Sequence, residues 1–284
     1  MKFLYALLIF VPLAIVAELM HASPIIVFAL SAAAILPLSG ILGTATEELA
    51  GHTGPTIGGL MNATLGNFAE LVIAAFALRA GLIDLVKASI TGSILGNLLL
   101  VLGAAQLAGG LKYKTQKINP SLAGLSSTLL VVAVLGLVVP AVFQAAHPDP
   151  LRVATVRVSM WVGGLLMAGY LMSLVYSMVT HKAAFNEGGD VAHHEEKPHW
   201  SLRKAIVVLI VTAATIGVLS EFLVSSTTEA VSSLGLSEFF VGLILIPIIG
   251  NAAEHSSAVL MAMKNRMDLA VGIAVGSSIQ VALL

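Results

Sequence analysis

Two kinds of residue are scarce in this chain: cysteine is absent, and charged residues make up only 10% of its 284 positions. Without cysteine there are no disulfides, thiolate metal ligands or cysteine nucleophiles. A soluble domain carries about 25% charged residues, whereas 58% of this chain is hydrophobic and its mean hydropathy is +0.99. The net charge of −1 gives no reason to expect a nucleic-acid partner. The composition therefore excludes an ordinary soluble domain and predicts a protein embedded in a lipid bilayer.

Long apolar segments are what the chain has in place of charge. A helix needs about 20 apolar residues to cross a bilayer, and the candidates lie at residues 3–20, 24–43, 56–80, 83–109, 121–146, 153–180, 202–224, 237–263 and 267–284. We therefore predict an all-α, multi-pass membrane protein with about nine spans. Most lysines and arginines fall in loops that are cytoplasmic if the N-terminus is cytoplasmic, which favours that orientation. We expect it to lie in a prokaryotic cell membrane.

One polar stretch interrupts the apolar pattern and divides the chain. Residues 181–200 read HKAAFNEGGDVAHHEEKPHW. We interpret this stretch as a solvated cytoplasmic connector; the alternative is a regulatory loop that senses metal or pH, because histidines stand among carboxylates. The predicted organisation is a leading transmembrane helix at 1–23, a first half at 24–180, this loop, and a second half at 201–284.

An internal repeat links the two halves. Residues 66–97 and 250–281 align without a gap. The positions that are identical in both copies are Gly66, Asn67, Ala69, Glu70, Ala74, Asp84, Leu85, Gly92 and Ser93, counted in the first. Five predicted spans separate the starts of the copies, and an odd number reverses direction across the membrane. Inverted repeats with polar, glycine-interrupted helices are typical of transporters whose ion site lies at the midplane.

The repeat places Glu70 and Glu254 within apolar spans, where a carboxylate is costly and marks a candidate functional site. A packed, hydrogen-bonded glutamate is the alternative for one such residue, but two in matched motifs favour ion binding. The predicted accessory groups are Asn67, Asn251, Ser93, Asn97, Ser277 and Gln280. These groups offer only oxygen ligands, which suit calcium or a similar hard divalent cation and not a soft transition metal. No resident cofactor is predicted.

Paired carboxylates also predict coupling to protons. Two carboxylates in a low-dielectric site disfavour each other's ionisation, so protons and a cation compete for them. His255 follows Glu254 directly and is a candidate for proton coupling; a core histidine is the alternative.

Glu221, Glu229 and Glu238 are predicted near the external side, as an acidic funnel for cations or as a solvated loop. No Ser/His pair, HExxH or aspartyl-protease motif favours an intramembrane enzyme.

These motifs resemble the calcium/cation–proton exchanger family of the calcium/cation antiporter superfamily. The similar stretches are GGLMNATLGNFAELVIA at 58–74, GSILGNLLLVLG at 92–103, GNAAEHSSAV at 250–259 and GSSIQVAL at 276–283. The resemblance implies that Glu70 and Glu254 bind the cation, that Ca²⁺ and H⁺ are the transported ions, and that access to the site alternates between the two sides. A sodium-coupled calcium exchanger is the alternative, and a passive cation channel is less favoured.

The family implies eleven spans, with one leading helix and two five-helix halves. The second copy of the repeat is followed by too little sequence to complete its half, so we expect the second half to be truncated, with about nine of eleven spans present. The resemblance leaves the oligomeric state open, with a homo-oligomer as one outcome.

Overall fold

The computed structural model describes residues 6–53, 61, 64–147, 153–181 and 198–283, and the regular elements within these ranges are helices. A 3₁₀ turn at Leu7–Ile9 leads into the first helix. The helices are α1 (Phe10–Leu19), α2 (Pro24–Thr53), α3 (Phe68–Arg79), α4 (Ile83–Lys112), α5 (Pro120–Ala146), α6 (Val153–Thr180), α7 (Leu202–Ser233), α8 (238–263) and α9 (Met267–Leu283).

The prediction of an all-α, multi-pass membrane protein is confirmed. In the described ranges, α2, α4, α5, α6 and α7 are long and apolar enough to cross a membrane, and the bent helix α8 raises the number from five to six. The segment from Leu7 to the end of α1, and α9, are shorter apolar helices. A count of nine spans out of eleven therefore stays a prediction. The character of the polar loop also stays a prediction, because residues 182–197 lie outside the described ranges. Gly58, the first residue of the stretch at 58–74, lies outside them as well.

Helices α2 and α7 both continue well beyond the spans predicted at 24–43 and 202–224. Their added turns contain serine and threonine side chains that donate hydrogen bonds to backbone carbonyls four residues earlier. Thr46 donates to Leu42 at 2.9 Å, and Thr227 donates to Leu223 at 2.7 Å. These bonds satisfy the hydroxyls within the helix, so polar side chains are accommodated in turns that hydropathy alone placed outside the spans. Glu229, expected near a loop, therefore lies within α7.

The two halves interlock instead of packing as separate domains. Helix α2 from the first half packs along α7 from the second, and their contact is filled by buried side chains that include Ile35, Leu42, Ile216, Leu219 and Leu223. Helix α3 packs against α7, and α4 packs against α8 and α9. The helices that carry the two repeat copies are therefore neighbours at the centre of the molecule.

Glycines allow α4 and α8 to cross with their backbones in contact. A Cβ atom on Gly92 would overlap the carbonyl group of Leu243, and one on Gly242 would lie 2.7 Å from Cβ of Ala88. Real Cβ atoms do not approach other heavy atoms so closely. Small residues permit this kind of backbone approach between membrane helices.

Both crossing helices are irregular close to this contact. Helix α4 contains a π-helical segment at Gly96–Val101, and α8 contains one at Val241–Leu245. Helix α8 also bends by 66° between Glu238–Ala252 and Glu254–Met263. π-Helical segments occur frequently at functional sites, and these lie beside Asn97 and before Asn251.

Polar contacts between the halves hold the end of the molecule where α2, α4 and α8 finish. Lys112 donates from Nζ to the carbonyl oxygen of Met263 at 2.9 Å, and Gln116 donates from Nε2 to that of Ala262 at 2.8 Å. Both donors bind carbonyls in the last turn of α8, where backbone donors are scarce; that of Ala262 also accepts from the amide of Asn265 at 3.1 Å. The Trp200 amide, just before α7, donates to Oε2 of Glu48 on α2 at 2.8 Å.

Replacing Gln116 by alanine is expected to destabilise the protein by about 1 kcal/mol, the usual net value of a partly buried hydrogen bond. Thermal unfolding of the purified protein in detergent measures the effect. Gln106→Ala is the matched control, since Gln106 is an exposed glutamine on α4 and should change little. An unchanged midpoint for Gln116→Ala would show that this contact does not join the halves.

Candidate cation site

The structure brings the predicted site residues into one cluster, contributed by four helices from both halves. Its members are Asn67 and Glu70 at the start of α3, Ser93 and Asn97 on α4, Asn251, Glu254 and His255 on α8, and Ser277 and Gln280 on α9. We call these nine residues the central cluster. Most of its side chains are buried, and those of Glu254 and His255 are partly exposed.

Glu70 is held by donors from the other helices. Its Oε1 accepts a hydrogen bond from Nδ2 of Asn251 at 2.6 Å, and its Oε2 accepts one from Oγ of Ser93 at 3.1 Å. Asn251 also donates to Oγ of Ser93 at 3.0 Å. Glu70 lies in the first turn of α3, where the helix dipole favours a carboxylate. The carboxylate is therefore fixed in position by groups from both repeat copies.

A glycine in the second copy makes room for Glu70. A Cβ atom on Gly250 would lie 2.5 Å from Cγ of Glu70. Gly250 was not among the predicted site residues, although it is matched with Gly66 in the repeat. The repeated Gly–Asn pair was the available signal: the glycine admits the opposite carboxylate, and the asparagine donates to it.

Asn251 donates to Glu70, and Glu254 follows three residues later on the same helix, so the two carboxylates share the cluster and repel each other when both are ionised. Two repelling carboxylates in a buried site are stabilised by protonation or by a bound cation. This is the arrangement in which protons and a divalent cation exclude each other.

The matched residues around Glu254 are bonded differently. Oγ of Ser277 donates to Oδ1 of Asn67 at 2.8 Å, and Nδ2 of Asn67 donates to Oε1 of Gln280 at 2.8 Å. Asn97 donates from Nδ2 to Oγ of Ser277 at 3.1 Å, and Nε2 of His255 lies 3.1 Å from Oδ1 of Asn97. Asn67 is thus paired with the second half of the molecule, and not with Glu70 three residues along its own helix.

Besides Nε2 of Gln280, two buried oxygen atoms of the central cluster have no hydrogen-bond partner among the described residues. They are Oδ1 of Asn251 and Oε2 of Glu254, which belong to residues three apart on α8. Buried polar atoms are nearly always paired, so unpaired acceptors mark a place for a ligand that brings positive charge. Together with Glu70 they provide oxygen ligands from both repeat copies, and water completes the six to eight that Ca²⁺ usually takes.

A second acidic feature lies where α4 and α8 begin. A cavity of about 280 Å³ is lined by Asp84 and Glu238 together with Gly81, Leu82 and Ile83. Of the three glutamates predicted as a funnel, only Glu238 is among these lining residues, while Glu221 and Glu229 are exposed on α7.

Known proteins resemble this chain over most of its length. Residues 23–179 and 204–284 match the family described as sodium/calcium exchanger protein. A Ca²⁺/H⁺ antiporter of Synechocystis is 42% identical over 99% of this chain and 79% of its own, and the Ca²⁺/H⁺ antiporter ChaA of Bacillus subtilis is 41% identical over 96% and 78%. The solved structure of native YfkE superposes with a TM-score of 0.82 at 36% identity, over 99% of this chain and 79% of the other.

Proposed function

Because the chain belongs to the sodium/calcium exchanger protein family, we propose that it is a secondary active antiporter that exchanges Ca²⁺ for H⁺ across a membrane. Relatives at about 40% identity carry the name Ca²⁺/H⁺ antiporter. The observation that carries the proposal for this chain is the meeting of Glu70 and Glu254 from the two repeat copies in one buried, oxygen-lined cluster.

The cluster suggests how one site serves both ions. Ca²⁺ takes the unpaired oxygens of Asn251 and Glu254 together with the carboxylate of Glu70, and it neutralises the repulsion between the two carboxylates. When Ca²⁺ leaves, protons take over that neutralisation, since two bare carboxylates in a buried site are unfavourable. A fall in pH on the side from which Ca²⁺ binds therefore weakens Ca²⁺ binding. Exchange follows when the loaded site is exposed alternately to each side of the membrane.

The orientation and setting follow from the sequence pattern. We place the N-terminus in the cytoplasm of a prokaryotic cell, because that choice puts most lysines and arginines on the cytoplasmic side. The side where α8 ends, with its contacts to Lys112 and Gln116, is then cytoplasmic. The cavity at Asp84 and Glu238 lies on the opposite side. We expect this exchange to need no resident cofactor.

Reconstituted vesicles test the function directly. Purified protein in proteoliposomes with an acidic lumen is expected to accumulate ⁴⁵Ca²⁺ in sodium-free buffer and to dissipate the pH gradient as it does so. Protein-free liposomes and a protonophore provide the controls. Uptake that continues unchanged after the protonophore collapses the pH gradient would indicate a passive channel.

A sodium-coupled exchanger of the same fold is the second candidate, because the matching family is described by sodium and calcium. It predicts that Ca²⁺ uptake needs an outward sodium gradient and is indifferent to an imposed pH gradient. The same vesicles, loaded with sodium at equal pH on both sides, separate the two functions.

A further inference from the structure

The two matched asparagines of the repeat are not equivalent in the structure. Asn251 donates to Glu70 and Ser93 and leaves its own oxygen without a partner among the described residues. Asn67 has both ends of its amide occupied, by the hydroxyl of Ser277 and by the side chain of Gln280. Identical residues in matched positions have therefore been given different surroundings.

Residues that break the repeat create this difference. Asn97, His255 and Gln280 belong to the central cluster, but their counterparts in the other copy are Val281, Leu71 and Gly96, which have no side-chain polar group. Each of the three exchanges a hydrogen bond within the cluster. The different bonding of the two asparagines therefore follows from these three positions, at which the two copies of the repeat differ in sequence.

These hydrogen bonds form a chain in which the donor of each bond can be assigned. Since Nδ2 of Asn97 donates to Ser277, Oδ1 of Asn97 can only accept, so Nε2 of His255 is the donor at the start. The Ser277 hydroxyl has a single hydrogen and gives it to Oδ1 of Asn67. Nδ2 of Asn67 then donates to Oε1 of Gln280. Every donor thus points away from His255 and toward Gln280.

This directed chain has two consequences for a cation. The carbonyl oxygen of Asn67 is already used by Ser277, so it is poorly placed to act as a ligand. The Ser277 hydroxyl, which also lies within hydrogen-bonding reach of Glu254, donates to Asn67, and Oε2 of Glu254 has no partner among the described residues. The hydrogen-bond chain therefore leaves Oδ1 of Asn251 and Oε2 of Glu254 on α8 available to a cation, and it occupies Oδ1 of Asn67 at the start of α3.

We propose that Asn97 and Gln280 are positioning residues that hold Asn67 by both ends of its amide, so that the cation is bound through Asn251 and not through Asn67. The inference rests on the proposed function, since it concerns the ligands of the transported cation. The proposal assigns different roles to two residues that are identical in the repeat. Asn251 is a ligand of the cation, whereas Asn67 links the two halves through its hydrogen bonds to Ser277 and Gln280.

Transport kinetics distinguish the two roles. In proteoliposomes that contain the full chain, Asn251→Ala is expected to raise the Ca²⁺ concentration for half-maximal exchange by about tenfold or more, as expected for loss of a ligand. Asn67→Ala is expected to change that concentration by less than about threefold and to lower the maximal rate instead, because the binding oxygens remain while the link between halves is lost.

A double-mutant cycle tests the link through Asn97. Asn97→Val introduces the residue of the matched position, and its effect on the maximal rate should not add to that of Asn67→Ala, because both interrupt the same chain. Its effect should combine independently with that of Asn251→Ala on the half-saturating concentration. Asn67→Ser and Asn251→Ser serve if an alanine variant does not yield folded protein by size-exclusion chromatography.

Equal increases in half-saturating Ca²⁺ for the Asn67 and Asn251 variants would overturn the inference, as would additive effects of Asn67→Ala and Asn97→Val. Neither result would affect the proposed exchange function. That function fails by a separate result, which is Ca²⁺ uptake by the unsubstituted protein that requires sodium or is indifferent to the pH gradient.

Discussion

Replacing Glu70 by glutamine is expected to reduce Ca²⁺/H⁺ exchange by roughly 100-fold or more while the protein remains folded. Glutamine has the shape of glutamate, its Oε1 can still accept from Asn251, and its Nε2 can donate to the hydroxyl of Ser93, which rotates to accept. What disappears is one full negative charge. Removing one partner from a buried set of charges costs about 3–5 kcal/mol, and each 1.4 kcal/mol is a factor of about ten in affinity.

The same reasoning applies to Glu254→Gln, with one difference. The Oε2 atom of Glu254 has no partner among the described residues, and a glutamine keeps an oxygen that can accept from the neighbouring hydroxyl of Ser277, so this substitution removes a charged ligand with little change in hydrogen bonding. We therefore expect Glu254→Gln to lose exchange with an unchanged melting temperature. Initial rates of ⁴⁵Ca²⁺ uptake driven by a pH gradient, together with thermal unfolding of the same samples, measure both quantities.

Glu229→Gln is the matched control for both substitutions. Glu229 is an exposed glutamate on α7, so its replacement makes the same chemical change outside the central cluster and should leave exchange near the wild-type rate. Wild-type exchange in either cluster variant would refute the assignment of the site, whatever the control shows.

The sequence was enough to predict which residues meet, because the repeat carries that information. Glu70 and Glu254 are matched in copies that the span count predicts to run in opposite senses, and each has a serine at the matched place on the next helix. Carboxylates in apolar spans have few uses other than ion binding. The structure places the predicted residues in one cluster, and the resemblance to the exchanger family is confirmed by relatives that cover most of the chain.

The sequence was not enough to predict how these residues bond to one another. Asn67 and Glu70 are three apart at the start of α3, a spacing that places residues on one helix face. In the structure Glu70 bonds to Asn251 of the other half, and Asn67 bonds to Ser277 and Gln280. Spacing along one helix identifies a shared face, but the partner depends on how the opposing helix is placed.

Backbone irregularity explains part of that gap. The π-helical segment at Gly96–Val101 contains Asn97, and it turns the helix face relative to a regular α-helix. A π-helical turn needs no distinctive composition, so hydropathy and spacing do not reveal it. The direction in which Asn97 points was therefore available only from the structure.

Gly92→Ala is expected to cause the largest loss of stability among the substitutions considered for this fold. The added Cβ would overlap the carbonyl group of Leu243 on α8, and a backbone group cannot turn aside as a side chain can. Overpacking of a tight contact usually costs about 1–3 kcal/mol, and we expect the upper end because α4 and α8 must separate. That separation would also pull Ser93, the next residue, away from Glu70, to which it donates at 3.1 Å.

Two measurements follow for this variant. The melting temperature of purified protein in detergent should fall by several degrees, and the folded fraction that remains should bind Ca²⁺ less tightly. Gly103→Ala is the control, because Gly103 lies further along α4 and a Cβ there would meet nothing within 4 Å; alanine is also the better helix former. It should melt at or above the wild-type temperature. If both variants melt alike, the backbone contact between α4 and α8 is not what holds the two repeat copies together around the cation.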